Sequence, residues 1–275
     1  LYPKTVSFKH PKAGQPNSAV RVGVVPAAGG PIVWMKTQGD PHDIYIPLID
    51  WAGNAREVVF QQLNRLQNTN QVQLGDATTG DIRTMFVDKD EAWLDDMTRY
   101  VWLSGGKGLF WLSERDGWRH AYYVSRDGKE IRLMTPGEYD VMSVDAIDET
   151  SGLLYVTASP DNATTRFEYR VRMDGTGKPE RVGPARQTGV HRYDVSPTAR
   201  WAFHNFSTLD TPPQTELVRL PGGETVRPLA ANAALRDRAN EVLRGAMRDG
   251  TLERILRKWG VWNDDQPAFF ANVLA

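Results

Sequence analysis

The chain has 275 residues, with 33 Lys and Arg against 34 Asp and Glu, and a formal charge of −1, which leaves no electrostatic footprint for nucleic acid or an anionic membrane. It has no cysteine, which excludes disulfides, thiol catalysis and thiolate metal sites, and no run of 18 apolar residues that could span a membrane. An apolar share of 40%, with 24 Gly and 17 Pro, excludes disorder and favours short strands joined by tight turns.

Strand-like runs flank a glycine turn five times along the chain. The first pair is 21–25 and 32–35, around Ala28-Gly29-Gly30. The run 71–74 leads into Thr79-Gly80-Asp81, and 121–124 into Arg126-Asp127-Gly128-Lys129. The runs 167–171 and 216–220 lead into Met173-Asp174-Gly175 and Pro221-Gly222-Gly223. Gly30, Gly80, Gly128, Gly175 and Gly222 are 50, 48, 47 and 47 residues apart. Asp-Gly and Gly-Gly supply the positive φ of tight hairpins. Further strands are expected at 100–103, 109–112, 141–144, 153–156, 191–195 and 201–203. A period of 40 to 50 residues with about four strands per unit marks a β-propeller blade. The predicted fold is therefore all-β, a partial β-propeller of about four four-stranded blades plus a hairpin. Blades are expected at about 37–88, 89–136, 137–184 and 185–230, within a propeller segment spanning 1–230. Because residues 1–36 begin in mid-blade, an arc of a larger ring is expected rather than a closed ring of four.

From residue 231 to 275 the pattern becomes a short helical tail. Leu235, Ala239, Val242, Leu243 and Met247 fall at helical spacing, Gly250 breaks the run, and Leu252, Ile255, Leu256 and Trp259 resume it. Glu253 and Arg257 are spaced to pair on the outer face. The stretch 263–275 shows no period and is expected to be loose.

Four stretches resemble the propeller of the dipeptidyl peptidase IV family of prolyl dipeptidyl peptidases. They are Tyr2-Pro3-Lys4-Thr5 with Pro11-Lys12-Ala13-Gly14; Leu63-Asn64-Arg65-Leu66-Gln67-Asn68; Leu112-Ser113-Glu114-Arg115-Asp116-Gly117-Trp118-Arg119-His120; and Pro228-Leu229 with Asn232. The resemblance covers about 1–238. It implies an eight-bladed propeller set over an α/β-hydrolase domain, serine-type release of N-terminal dipeptides, and a periplasmic or extracellular place of work. It also implies a Glu-Glu pair upstream of the Tyr-Pro-Lys-Thr run that binds the peptide amine. Both that segment and the hydrolase domain are expected to lie outside these residues. The tail at 241–262 resembles the C-terminal helices of periplasmic amino-acid-binding proteins, whose ligand-binding lobes have no counterpart here.

The search for chemistry points the same way. No serine has Gly at both −2 and +2, so the nucleophile elbow of such hydrolases is absent from the sequence. His10, His42, His120, His191 and His204 form no i,i+4 zinc pair. No catalytic residue, metal ligand or cofactor site is assigned. Ser104-Gly105-Gly106-Lys107-Gly108 reads as a hairpin turn, and 116–120 as a connection with a buried Trp and a satisfied His. Substrate-rim candidates are Trp93 with Glu91, Asp95 and Asp96, whose ring and carboxylates suit a cationic peptide end, and Asn64 with Arg65. The leading expectation is the non-catalytic propeller portion of a dipeptidyl peptidase, inactive alone, that gates and walls the substrate cavity. Its partners would be a peptide substrate and the hydrolase domain. The alternatives are a stand-alone propeller that binds a peptide or protein, and a solute-binding remnant for which only the tail speaks. Uncovered apolar blade faces, with Trp34, Leu217 and Leu220 as candidates, predict self-association.

Overall fold

The computed structural model describes residues 4–7, 12–94, 100–162, 164–183, 187, 189–209 and 211–275, without the side chains of Ala233 and Leu235. The described residues divide into two compact units, 1–161 with 170–180, and 162–169 with 181–275.

The first unit opens with the hairpin β1 (Gly23–Val24) and β2 (Val33–Trp34). Next comes a sheet of β3 (Ile44–Tyr45), β4 (Ile49–Trp51), β5 (Glu57–Asn64), β6 (Thr69–Asp76) and β7 (Ile82–Lys89). It counts five strands because β3 and β4 both pair with β5 along one edge. Pro47 lies between them, and without an N–H it cannot continue a ladder. A four-stranded meander follows, β8 (Val101–Leu103), β9 (Gly108–Ser113), β10 (His120–Ser125) and β11 (Ile131–Leu133). The sheet after it has the order β12 (Val141–Asp148), β13 (Leu153–Ala158), β14 (Phe167–Arg172) and β15 (Glu180–Val182), and the division between units falls within β14 and β15. In the second unit β16 (Val190–Val195), β17 (Trp201–Ser207), β18 (Gln214–Arg219) and β19 (Glu224–Ala230) form the last meander. The described strands thus form antiparallel sheets in chain order, as the glycine period predicts.

Burial explains why the strands read as they do. Val59, Val72 and Leu74 of one sheet pack with Leu109, Trp111, Tyr122 and Val124 of the next in a single buried cluster. Val58 and Phe60 use the opposite face of β5 to pack with Val22 and Met35 of the opening hairpin. A central strand buried on both faces becomes a continuous apolar run, and β9 is buried at all six positions.

The recurring glycines have a packing reason as well as a conformational one. Gly80, Gly128, Gly175 and Gly223 all have φ between +73 and +77, and each sits in the last hairpin of its sheet. A Cβ there would lie 2.2 Å from the Trp34 carbonyl oxygen, 1.6 Å from that of Met85, 2.4 Å from that of Leu133 and 2.5 Å from Gly183 Cα, respectively. Each turn therefore presses on the backbone at or just past the final strand of the sheet before it. In the last hairpin the left-handed residue is Gly223, not Gly222, because the turn begins one residue later than the Pro-Gly-Gly run suggests.

The tail forms α1 (Ala233–Arg248) and α2 (Thr251–Lys258), separated at Gly250 with φ +72, as expected from the spacing. Glu253 accepts from Arg257 at 2.8 Å. The stretch expected to be loose instead holds a third helix, α3 (Gln266–Leu274). Its periodicity is blurred because apolar residues occupy almost every position, while Pro267 at its start favours a helical first turn. Trp259 is 74% exposed.

Candidate functional site

The candidate rim is built on the β5–β6 turn. Asn64 Oδ1 accepts from the backbone N–H of Asn68 and of Thr69, both at 3.1 Å, and Asn64 Nδ2 donates to Asn68 Oδ1 at 2.8 Å. These bonds fold the turn on itself, so Asn64 organises the loop rather than reaching for a ligand, and they leave Arg65 exposed. Two further bonds bring in the second candidate stretch. Asp90 N–H donates to Asn68 O at 3.1 Å, and Leu94 N–H to Gln67 O at 2.9 Å. Asp90 Oδ1 also accepts from the N–H of Ala92 and Trp93 at 2.7 and 3.0 Å, which holds the Asp90 carboxyl below its ordinary range. The chain from Asp90 to Leu94 is thereby tied to the Asn64 turn, with Trp93 57% exposed and Glu91 exposed. Asp95 and Asp96 lie outside the described residues.

Beside Arg65 is an open depression of about 700 Å³ that sequence reasoning missed, lined by Asn17, Asp40, His42 and Asp43 among others. The Arg65 guanidinium donates to the Tyr45 hydroxyl and lies 5.8 Å from its ring. The Asn17 side chain, against the opposing effect of burial and with the help of the Arg65 charge, holds the Tyr45 phenol below its ordinary range. His42 Nδ1 is 2.6 Å from Asn17 O, and the His42 N–H donates to Asp40 Oδ1 at 2.9 Å. The place thus offers carboxylates to a cation and one guanidinium to a carbonyl or carboxylate. Asp40-Pro41-His42 reads as a turn, and no spacing in the sequence links it to Arg65, 25 positions from Asp40.

The Ser-Glu-Arg-Asp-Gly-Trp-Arg-His run supports the fold. Asp88, 4% exposed, accepts from Trp111 Nε1 at 2.8 Å, Ser113 Oγ at 2.8 Å and Arg115 Nη2 at 2.9 Å. His120 is buried, with Nδ1 2.8 Å from Asp116 Oδ2, and Asp116 is lowered on balance: burial raises it, and the His120 hydrogen bond and charge outweigh that. Trp118, expected to be buried, is 39% exposed, because the buried indole here is Trp111, held by Asp88. Among the described residues no cluster of three or more His, Asp and Glu is placed to hold a metal ion.

The chain is similar to known proteins in sequence and in fold. The family model for the dipeptidyl peptidase IV (DPP IV) N-terminal region matches residues 1–213. Dipeptidyl peptidase 4 of Arthroderma otae is 27% identical over 181 residues, 63% of this chain and 23% of that protein. A probable dipeptidyl peptidase 4 of Emericella nidulans is 23% identical over 254 residues, 87% of this chain and 32% of that one. The crystal structure of Porphyromonas gingivalis dipeptidyl peptidase 4 superposes with a TM-score of 0.76 at 26% identity, covering 87% of this chain and 33% of that chain. This chain therefore spans about a quarter to a third of the length of these relatives. With an all-β, partial propeller fold, a helical tail and a family match over 213 of its 275 residues, the chain belongs to the dipeptidyl peptidase IV family, in its N-terminal propeller region.

Proposed function

We propose that this chain walls and gates the substrate cavity of a serine dipeptidyl peptidase, with the nucleophile supplied by an α/β-hydrolase domain and a peptide N-terminus as the substrate. The observation that carries this reading is the match of residues 1–213 to the peptidase family's N-terminal region. The rim residues are Trp93, Glu91 and Arg65, carried by the turn that Asn64 organises. Their support is the pair of backbone bonds that joins Asp90 and Leu94 to the Asn64 turn. In this reading the propeller segment runs over 1–230, with blades at about 37–88, 89–136, 137–184 and 185–230, followed by a tail at 231–275. A periplasmic or extracellular location accords with it.

Two measurements test the proposal. The pure chain should not release the chromophore from a Gly-Pro chromogenic dipeptide, and turnover blocked by a serine-directed inhibitor would refute the reading. Millimolar Ala-Pro peptide should shift the amide resonances of residues 64–69 and 90–94. Shifts confined to other segments would remove the rim assignment and favour a stand-alone binding propeller.

We also propose self-association through the outer face of β16–β19. There Trp201 and Phe203 are 37% and 47% exposed, and with Leu217 they line a groove of about 290 Å³. Leu220 is not part of that face, because it is 6% exposed and points inward. Sedimentation at micromolar concentration decides: a monomer across that range sinks the idea.

A further inference from the structure

The last sheet buries two histidines in one hydrogen-bonded chain. Alternation along β16 turns His191 and Tyr193 inward while Val190, Arg192 and Asp194 are exposed, and β17 turns Ala202, His204 and Phe206 inward. His204 lies opposite Glu216 of β18 and opposite Tyr193 of β16. His191 Nε2 is 3.1 Å from Gln187 O, His191 Nδ1 is 2.8 Å from His204 Nε2, and His204 Nδ1 is 2.8 Å from Glu216 Oε1. His191 and His204 are 3% and 1% exposed.

Counting protons along this chain fixes its charge. The Gln187 carbonyl only accepts, so His191 Nε2 must carry a hydrogen. The contact between the rings needs one more hydrogen, and the contact to the Glu216 carboxylate a third. Two neutral imidazoles bring only two. The three bonds are complete only when the chain holds one proton beyond two neutral rings and an ionised carboxylate. Imidazole is the stronger base of the two group types, so that proton belongs on His204 rather than on Glu216.

The surroundings suit one charge and oppose two. Thr225 Oγ1 donates to Glu216 Oε2 at 2.7 Å, orienting the carboxylate. The Tyr193 ring lies over His204, with centroids 4.4 Å apart and planes 14° apart, an arrangement that favours a cation against a π face. Arg181 of β15 donates to the same Gln187 carbonyl at 3.1 Å and sets a fixed positive charge near His191. Among the described residues Glu168 of β14 is a further charged neighbour, buried and acting on Tyr193. A second proton on the pair would make both facing ring nitrogens donors and break the bond between them.

We propose that His191, His204 and Glu216 form a one-proton switch in the last sheet: the chain stores a single proton, held on His204 against Glu216, and β16, β17 and β18 are fully cross-bonded only in that state. Removing the proton leaves one bond of the three unmade, and adding another breaks the central one.

Ring resonances of the full-length, 15N-labelled chain at pH 6 test this directly. The expected pattern is His204 protonated at both ring nitrogens, with His191 protonated at Nε2 and bare at Nδ1. Two neutral rings, or a charge on His191, would overturn the proposal. Glu216→Gln keeps an oxygen acceptor for Nδ1 and removes the counter-charge. The variant should lose the doubly protonated His204 ring pattern seen at pH 6, and a ring pattern unchanged from the wild type would overturn the switch. If Glu216→Gln does not fold, the wild-type spectrum still decides.

Discussion

Adding one methyl group at Gly128 should harm this protein far more than adding one at Gly152. Both glycines are left-handed, with φ of +73 and +67. Backbone strain in an L-residue there costs about 1–2 kcal/mol at either site. The surroundings differ. Nothing lies within 4 Å of a Cβ at Gly152, whereas at Gly128 the Cβ would stand 1.6 Å from the Met85 carbonyl oxygen. That oxygen belongs to the backbone of β7, at the bulge where its register with β6 shifts, so it cannot swing away as the end of a flexible side chain would. Relief requires the turn and β7 to separate by more than an ångström, through a cluster that includes Met85, Phe86 and Trp111. Overpacking of this kind costs about 1–3 kcal/mol, and a gap of an ångström forfeits up to half of each affected contact. The expected loss is about 1–2 kcal/mol for Gly152→Ala and about 3–5 kcal/mol for Gly128→Ala. Urea unfolding followed by tryptophan fluorescence reads the difference from the two midpoints at equal slope. Failure of Gly128→Ala alone to fold would count the same way. Equal losses, within about 0.5 kcal/mol, would refute the argument that sheet-to-sheet backbone contact dictates glycine at this period.

Three further outcomes are expected. Arg126 donates to Ala52 O at 2.9 Å, Gly106 O at 3.0 Å and Glu57 Oε2 at 2.6 Å, and it lies 4.6 Å from the Trp102 ring, so Arg126→Ala should lower stability by about 2 kcal/mol in urea melts and Arg126→Lys should recover only part of it. His191 is lowered to about 4 by burial, then by the charge of His204; the unfolded chain therefore binds the proton first, and the contribution of His191 to stability should be full above about pH 6.5 and fall by at most about 1.4 kcal/mol per pH unit down to about 4, a slope that His191→Gln should flatten. Trp259→Ala should cost well under about 1 kcal/mol, since the ring is 74% exposed, and a large drop in melting temperature would mean that the tail is packed more tightly than its exposure indicates.

Much of the architecture was legible because hairpin turns are local. A turn needing positive φ favours glycine before any distant contact is considered, so the repeats at Gly80, Gly128 and Gly175 marked the sheets from local sequence alone. Helices α1 and α2 were legible for the same reason, their spacing and Gly250 being properties of short segments, whereas α3 lacked a polar face to give its period away. The order of the strands followed from the repeat. What the sequence could not supply was long-range pairing. Gln67 and Leu94 are hydrogen-bonded across 27 positions, and Arg65 meets Tyr45 across 20, through contacts that only the folded sheets create. Trp118 and Trp111, equivalent by composition, took opposite fates because Asp88, far away in sequence, was placed to hold one of them. The His191–His204–Glu216 chain was equally hidden: three ordinary polar residues on three strands acquire a fixed proton count only when strand register sets them face to face, inside a sheet where each ring nitrogen must find a partner.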